Sequence, residues 1–324
     1  MPVLASLRAK FPEASIDWLV QDSFADAIRA HPALSGVVPF RRRELGRSSS
    51  RLNFGPTLAF LRSLRRERYD LVVDAQGLLR SSIFARATGA PRRVGFADAR
   101  ELGWLLLTEK HRVQAVHTVD RMLGLVEAAG VPALRDMRLY VPPQSLEELA
   151  PELRRAAPYV VLAPTSRWPG KQWPAERFAV VASDLTARGL NCVIVGSASE
   201  REQISPVLDL ARRNPRVLDR VGGTSIAQLM AWISRAALVI ANDSAALHMA
   251  VGFDRPIVAL FGPTDVAKVG PYQREGSVLQ RLVPGDTMDH KDDDIGQRIM
   301  ARITTTDVLD MAREQLRGVL PSAV

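Results

Sequence analysis

The chain has 324 residues, 47% hydrophobic and 24% charged, with 43 Lys and Arg against 35 Asp and Glu for a formal charge of +8. This is an ordinary composition for a soluble globular protein, with enough length for two cores. One cysteine, Cys192, excludes a disulfide framework and fits a reducing compartment. With no run of ~18 apolar residues and no signal peptide at Met1 to Lys10, a membrane span is excluded and a cytoplasmic protein is expected.

In chain order, "VLASLRAKFPEASIDWLV" reads as a helix followed by a strand. Asp22 to Ala30 has helical spacing, "VVPF" is a short β-rich run, Leu58 to Arg66 is helical, and "YDLVVDAQG" is a strand entering a turn. Such alternation predicts βαβ units around a parallel sheet. The opening helix has no strand before it, so the first and normally central strand of this domain is expected to be missing. Completing it would take an extension of roughly 15 to 20 residues, with Met1 as an internal or misassigned start.

Arginines cluster at Arg41, Arg42, Arg43, Arg47 and Arg51 and again at Arg62, Arg65, Arg66 and Arg68. They favour anionic partners such as phosphates or acidic lipid headgroups, or else form solvated helix faces. Aromatic residues are only 6% and are not interleaved with them, so nucleic acid is not an expected partner.

Pro142, Pro143, Pro151 and Pro158 punctuate the middle of the chain. They predict a boundary within 143 to 157, separating domains 1–145 and 157–324. The second half repeats the pattern in "YVVLAPTS", "NCVIVGSASE", "ALVIANDS" and "PIVALFGPT", and ends in a Thr/Asp-capped amphipathic helix, "TTTDVLDMAREQLRGVL". Each of these strands ends in polar or turn-forming residues: Thr165 and Ser166, Gly196 to Glu200, Asn242 to Ser244, and Gly262 to Asp265. In a parallel sheet those ends share one edge, where ligands bind.

Asp243 and Ser244 occupy the N-cap of "AALHMAV", a helix start able to hold a phosphate, with His248 one turn deeper on the same face. Lys171 lies in a Pro-Gly loop bracketed by Trp168 and Trp173, where it can act as a point charge on a diphosphate. Neither a Walker loop nor a Gly-x-Gly-x-x-Gly fingerprint occurs. "MDHKDDD", residues 288 to 294, lacks metal-ligand spacing and reads as a solvated loop.

The stretch "NDSAALHMAVGFDRPIVALFGPTD", with "APTSRWPGKQWPAERF", "VVDAQGLLRSS", "RVGFADARE" and "HTVDRMLGL", resembles the lipopolysaccharide heptosyltransferases of glycosyltransferase family 9. The Asp-Ala-Gln-Gly form is most similar to the heptosyltransferase I branch. The resemblance implies a GT-B fold, two Rossmann-like domains facing across a cleft. It implies inverting, metal-independent transfer of heptose from ADP-L-glycero-D-manno-heptose to the Kdo sugar of lipid A, at the inner face of the cytoplasmic membrane and without a cofactor.

Carried over by position, Thr165 and Ser166 contact the donor phosphates, Lys171 neutralises the diphosphate, and Glu200 and Thr224 lie by the adenosine. Asp243 holds heptose hydroxyls with Ser244, Ala245 and His248, and Gln76 and Arg80 face the acceptor. Ala245 stands where the family usually has Gly, and the family's N-terminal loop with its base Asp has no counterpart. A family 9 transferase using another sugar nucleotide, or a GT-B protein that binds without turnover, are the alternatives.

Overall fold

The computed structural model describes residues 1–42, 55–289 and 292–317. The chain divides into two compact units, Met1–Met137 and Arg138–Val324. The division falls ahead of the proline-punctuated stretch, because Pro143–Ala156 forms a helix that packs on Ile226–Ser234 in the second unit. Pro143 takes the first turn, where its missing N–H costs nothing, and Pro151 is accommodated inside.

In the first unit the helix Pro2–Lys10 precedes strand β1, Asp17–Gln21, which pairs in parallel with β2, Gly36–Phe40. The expected helix at Asp22 to Ala30 is a 3-10 turn over Asp22–Ala27. A second group holds β3 (Leu71–Asp74), β4 (Arg92–Phe96) and β5 (Glu109–His111), all parallel, with Leu71 opposite Arg92 and Val94 opposite Glu109. The helices Gly55–Arg66, Leu79–Thr88 and Thr118–Ala128 pack beside them. Where one doubly wound sheet was expected, the described strands form a pair and a triplet, and no ladder among them joins β1 to β3. The Tyr69 hydroxyl, just before β3, donates to Asp17 Oδ2 at 2.7 Å.

The second unit is a single six-stranded sheet in the order β11-β10-β9-β6-β7-β8. Its strands are β6 (Tyr159–Ala163), β7 (Asn191–Ile194), β8 (Val217–Asp219), β9 (Leu238–Asn242), β10 (Ile257–Phe261) and β11 (Val278–Gln280). Every pairing is parallel. Alternate residues feed two cores, as a period of two requires. Val160, Leu162, Ile194, Leu238 and Ile240 face the helices Ala175–Ala187, Ser205–Arg213 and Thr305–Leu316, while Tyr159, Val161, Val239 and Ala241 face the opposite layer. Sheets covered on both faces carry near-continuous apolar strands, which is why these runs stood out in the sequence. Cys192 lies inside the first core, and burial pushes its thiol up to about 12.

Candidate functional site

The sheet order of the second unit reverses between β6 and β9, so the loops leaving those strands diverge and open a crevice at their carboxyl ends. The loop after β6 carries Thr165, Ser166 and Lys171, and the turn after β9 carries Asp243 and Ser244. These residues, separate in sequence, meet there. Lys171 Nζ donates to Asp243 Oδ2 at 2.7 Å, with both side chains largely buried at 14% and 9% exposure. Thr165 and Ser166 are buried, and Thr165 packs against Gly196, where an added Cβ would lie 3.0 Å from its hydroxyl.

The tryptophans bracketing Lys171 do not hold it from both sides. Trp173 is turned into the core, where its ring meets Phe178 at 4.9 Å and its indole N–H donates to the Ile303 carbonyl. Placement comes instead from Asn242, a fully buried amide. Its Nδ2 donates to the Pro164 carbonyl at 2.7 Å and its Oδ1 accepts from the Trp173 N–H at 3.2 Å, pinning both ends of the Lys171 loop to the end of β9. A buried side-chain amide must satisfy its donors and acceptor, so the two bonds fix the loop as firmly as they stabilise Asn242. In the sequence Asn242 reads only as turn punctuation.

Ser244 is the N-cap of the helix Ala245–Gly252, but its hydroxyl makes no capping bond and is buried with no hydrogen-bond partner. The helix start thus offers backbone N–H groups and a hydroxyl donor next to the lysine, a combination suited to an anion. Thr264, at the end of neighbouring β10, is 8% exposed and likewise has a buried hydroxyl without a partner. The sequence set it only within the polar strand end Gly262 to Asp265, with no role of its own, because one Thr after Gly-Pro is not singled out until the strands are laid side by side. Ala245 and His248 are both exposed on the same helix, so His248 is a surface residue and not part of the core.

Glu200 and Thr224 lie on the β7 and β8 side of the same edge. Gly222, at φ +73°, lets its loop approach Ala198 so closely that a Cβ would lie 2.7 Å from the alanine Cβ, and its N–H donates to the Gly196 carbonyl. This brings Thr224 beside the Gly196 to Glu200 loop. Glu200 Oε2 accepts from the Ser197 N–H at 2.9 Å, a capping box that orients the carboxylate.

In the first unit, Gln76 and Arg80 follow the end of β3. Asp74 is buried and accepts from the N–H groups of Gln76 and Gly77 and the hydroxyls of Ser81 and Ser82, which sets this turn. The Arg80 guanidinium lies 5.8 Å from the Phe40 ring, and its Nε is buried with no hydrogen-bond partner.

The acidic stretch 288–294 is not a plain loop. Asp292 caps the helix Asp293–Arg302 by accepting from the Ile295 N–H, and Asp293 accepts from the Gly170 N–H. His290 and Lys291 lie outside the described residues. Among the described residues, no group of three or more His, Cys, Asp or Glu side chains is arranged to hold a metal.

Residues 57–292 match the model of glycosyltransferase family 9 (heptosyltransferase). Lipopolysaccharide heptosyltransferase 1 of Pseudomonas aeruginosa is 31% identical over 85% of this chain and 77% of its own. Lipopolysaccharide heptosyltransferase 3 of Escherichia coli is 27% identical over 82% and 79%. The structure of E. coli heptosyltransferase WaaC with ADP-2-deoxy-2-fluoro heptose superposes with a TM-score of 0.76 at 23% identity, covering 97% of this chain and 94% of that one.

Proposed function

The chain belongs to glycosyltransferase family 9, the heptosyltransferases, and from that premise we propose that its second unit binds ADP-L-glycero-D-manno-heptose and transfers the heptose to the Kdo sugar of lipid A. The observation that carries this reading is the Lys171–Asp243 pair at the sheet's switch point, beside the unpartnered Ser244 hydroxyl and its helix start.

In the transfer, the acceptor hydroxyl oxygen forms a bond to the heptose anomeric carbon as the bond to the diphosphate breaks, with inversion. The acceptor proton passes to solvent water, and ADP departs with the electron pair. Charge therefore grows on the departing diphosphate, which Lys171, the Ser244 hydroxyl and the helix N–H groups receive, and such preorganised donors stabilise the transition state more than the ground state. Thr165, Ser166 and Thr264 supply further hydroxyls to the phosphates. Asp243 receives heptose hydroxyls, flanked by Ala245 and His248, while Glu200 and Thr224 address the adenosine. Gln76 and Arg80 serve the acceptor. Positive charge from Lys171 and the helix start replaces a metal ion, so no cofactor is needed.

Exposed Arg41, Arg42, Arg62, Arg65, Arg66 and Arg68 support attachment of the first unit to anionic lipid at the inner face of the cytoplasmic membrane. Arg43, Arg47 and Arg51 lie outside the described residues. No helix among the described residues is long and apolar enough to cross a membrane. The attraction fades over a Debye length of ~8 Å near physiological salt, so vesicle binding indifferent to ionic strength contradicts it.

The test of function is incubation with ADP-heptose and a Kdo-lipid A acceptor, with and without EDTA. Product formed equally in both supports the reading. Loss in EDTA with rescue by Mg²⁺ overturns metal independence, and binding without turnover identifies a non-catalytic binder. Stronger thermal stabilisation by another sugar nucleotide reassigns the donor.

A further inference from the structure

The loop bearing Lys171 is touched by a part of the chain remote in sequence. Gly170, directly before the lysine, packs backbone to backbone against Gly296 in the helix Asp293–Arg302 and against Gly262 at the end of β10. A Cβ on Gly296 would lie 2.4 Å from both the Cα and the carbonyl oxygen of Gly170, and one on Gly262 would lie 2.7 Å from that oxygen. The Gly170 N–H also donates to Asp293 Oδ1 at 3.2 Å. Helix interiors disfavour glycine, so the helix alone gains nothing from having it at 296. What Gly296 permits is the close approach.

We infer that Asp293 and Gly296 are positioning residues for Lys171, fixing its backbone so that the ammonium reaches both Asp243 and the donor diphosphate. This rests on the diphosphate role given to Lys171 above. A lysine is a point charge on a flexible four-carbon stem, and its placement depends on the anchoring of its own Cα. Direct contact between main chains leaves no side-chain rotamer to absorb a change, so a methyl group at 296 must push Gly170 back by about an ångström. A displacement of that size at a reacting group costs about 100-fold in rate.

The test compares Gly296→Ala, Asp293→Ala, Asp293→Asn and Lys171→Ala. Gly296→Ala is expected to lower kcat about 100-fold and, by overpacking, to lower the melting temperature by several degrees. The double variant Lys171→Ala/Gly296→Ala is expected to be no slower than Lys171→Ala alone, because both changes remove one interaction. Asp293→Ala adds no bulk and should lower kcat in the same way, while Asp293→Asn, which keeps the acceptor oxygen, restores it.

Independently of any transfer, acetylation by acetic anhydride with peptide mapping should modify Lys171 severalfold faster in Gly296→Ala and Asp293→Ala than in the parent, with Lys10, Lys110 and Lys268 unchanged. Unchanged Lys171 acetylation in folded variants, or losses that multiply in the double variant, overturns the inference. The acetylation result needs no donor, so it decides the matter even if the heptose reading fails.

Discussion

The two units place their polar strand ends by different means. In the second, β6, β9 and β10 are buried along their whole length, and a buried amide from one strand end holds the loop of its neighbour. In the first, β1 is half-exposed throughout and β3 is buried only at Asp74, which ties down its own turn. A group whose supports come from several buried elements loses little freedom on binding, whereas one held by its own turn depends on local bonds alone. The charges proposed to act in transfer thus sit on the edge held by several buried elements, and the first unit has the edge held by local bonds.

Four substitutions test that contrast. Lys171→Ala should have the largest effect, removing about 2 to 4 kcal/mol of transition-state stabilisation. The loss should appear mainly in kcat, and steady-state kinetics showing an unchanged kcat/KM would remove Lys171 from the mechanism.

Asn242→Ala and Asp74→Ala then set one unit against the other. Each should lower stability by about 1 to 3 kcal/mol, because each strands buried polar groups. Only Asn242→Ala should also weaken ADP binding by calorimetry. Equal loss of ADP affinity in both would erase the distinction between the units.

Near neutral pH the smallest effect belongs to the titration of Cys192. Its thiol is raised from 9.0 to about 12 by burial, so the unfolded chain gives up the proton first as pH rises. Stability from this group is intact below pH 9 and falls as pH climbs from about 9 to about 12. Urea melts of the parent and Cys192→Ala should differ in their pH slope only in that range; the same pH slope in both would contradict it.

Much of the second unit was legible because its strands are buried on both faces and so appear as unbroken apolar runs ending in turn residues. Lys171 and Asp243 could each be singled out, but not their pairing, since strand order is not written in either stretch. Asn242 escaped because one asparagine serves equally as a turn residue and as a buried staple. Gly296 escaped because its partner, Gly170, lies across the fold. The 3-10 turn at Asp22–Ala27 shows the limit of periodicity in a short segment. In the first unit the half-exposed β1, β2 and β3 were legible, whereas β4, Arg92–Phe96, and β5, Glu109–His111, were not, because paired arginines in the one and only three mostly charged residues in the other leave no clean period.

The Lys171–Asp243 pair also bears on how the site is vacated. An ammonium has three N–H donors, and one of them is committed to the carboxylate. In the proposed reaction, the hydroxyls of the attached sugar occupy Asp243 and the lysine is shared on favourable terms. Once the sugar has left, ADP confronts a carboxylate with nothing else to hold, and like charges compete for one cation. Affinity for the spent nucleotide is therefore self-limiting: inhibition by accumulated ADP should be weak, and free phosphate in the surrounding medium should be a poor competitor for the same reason.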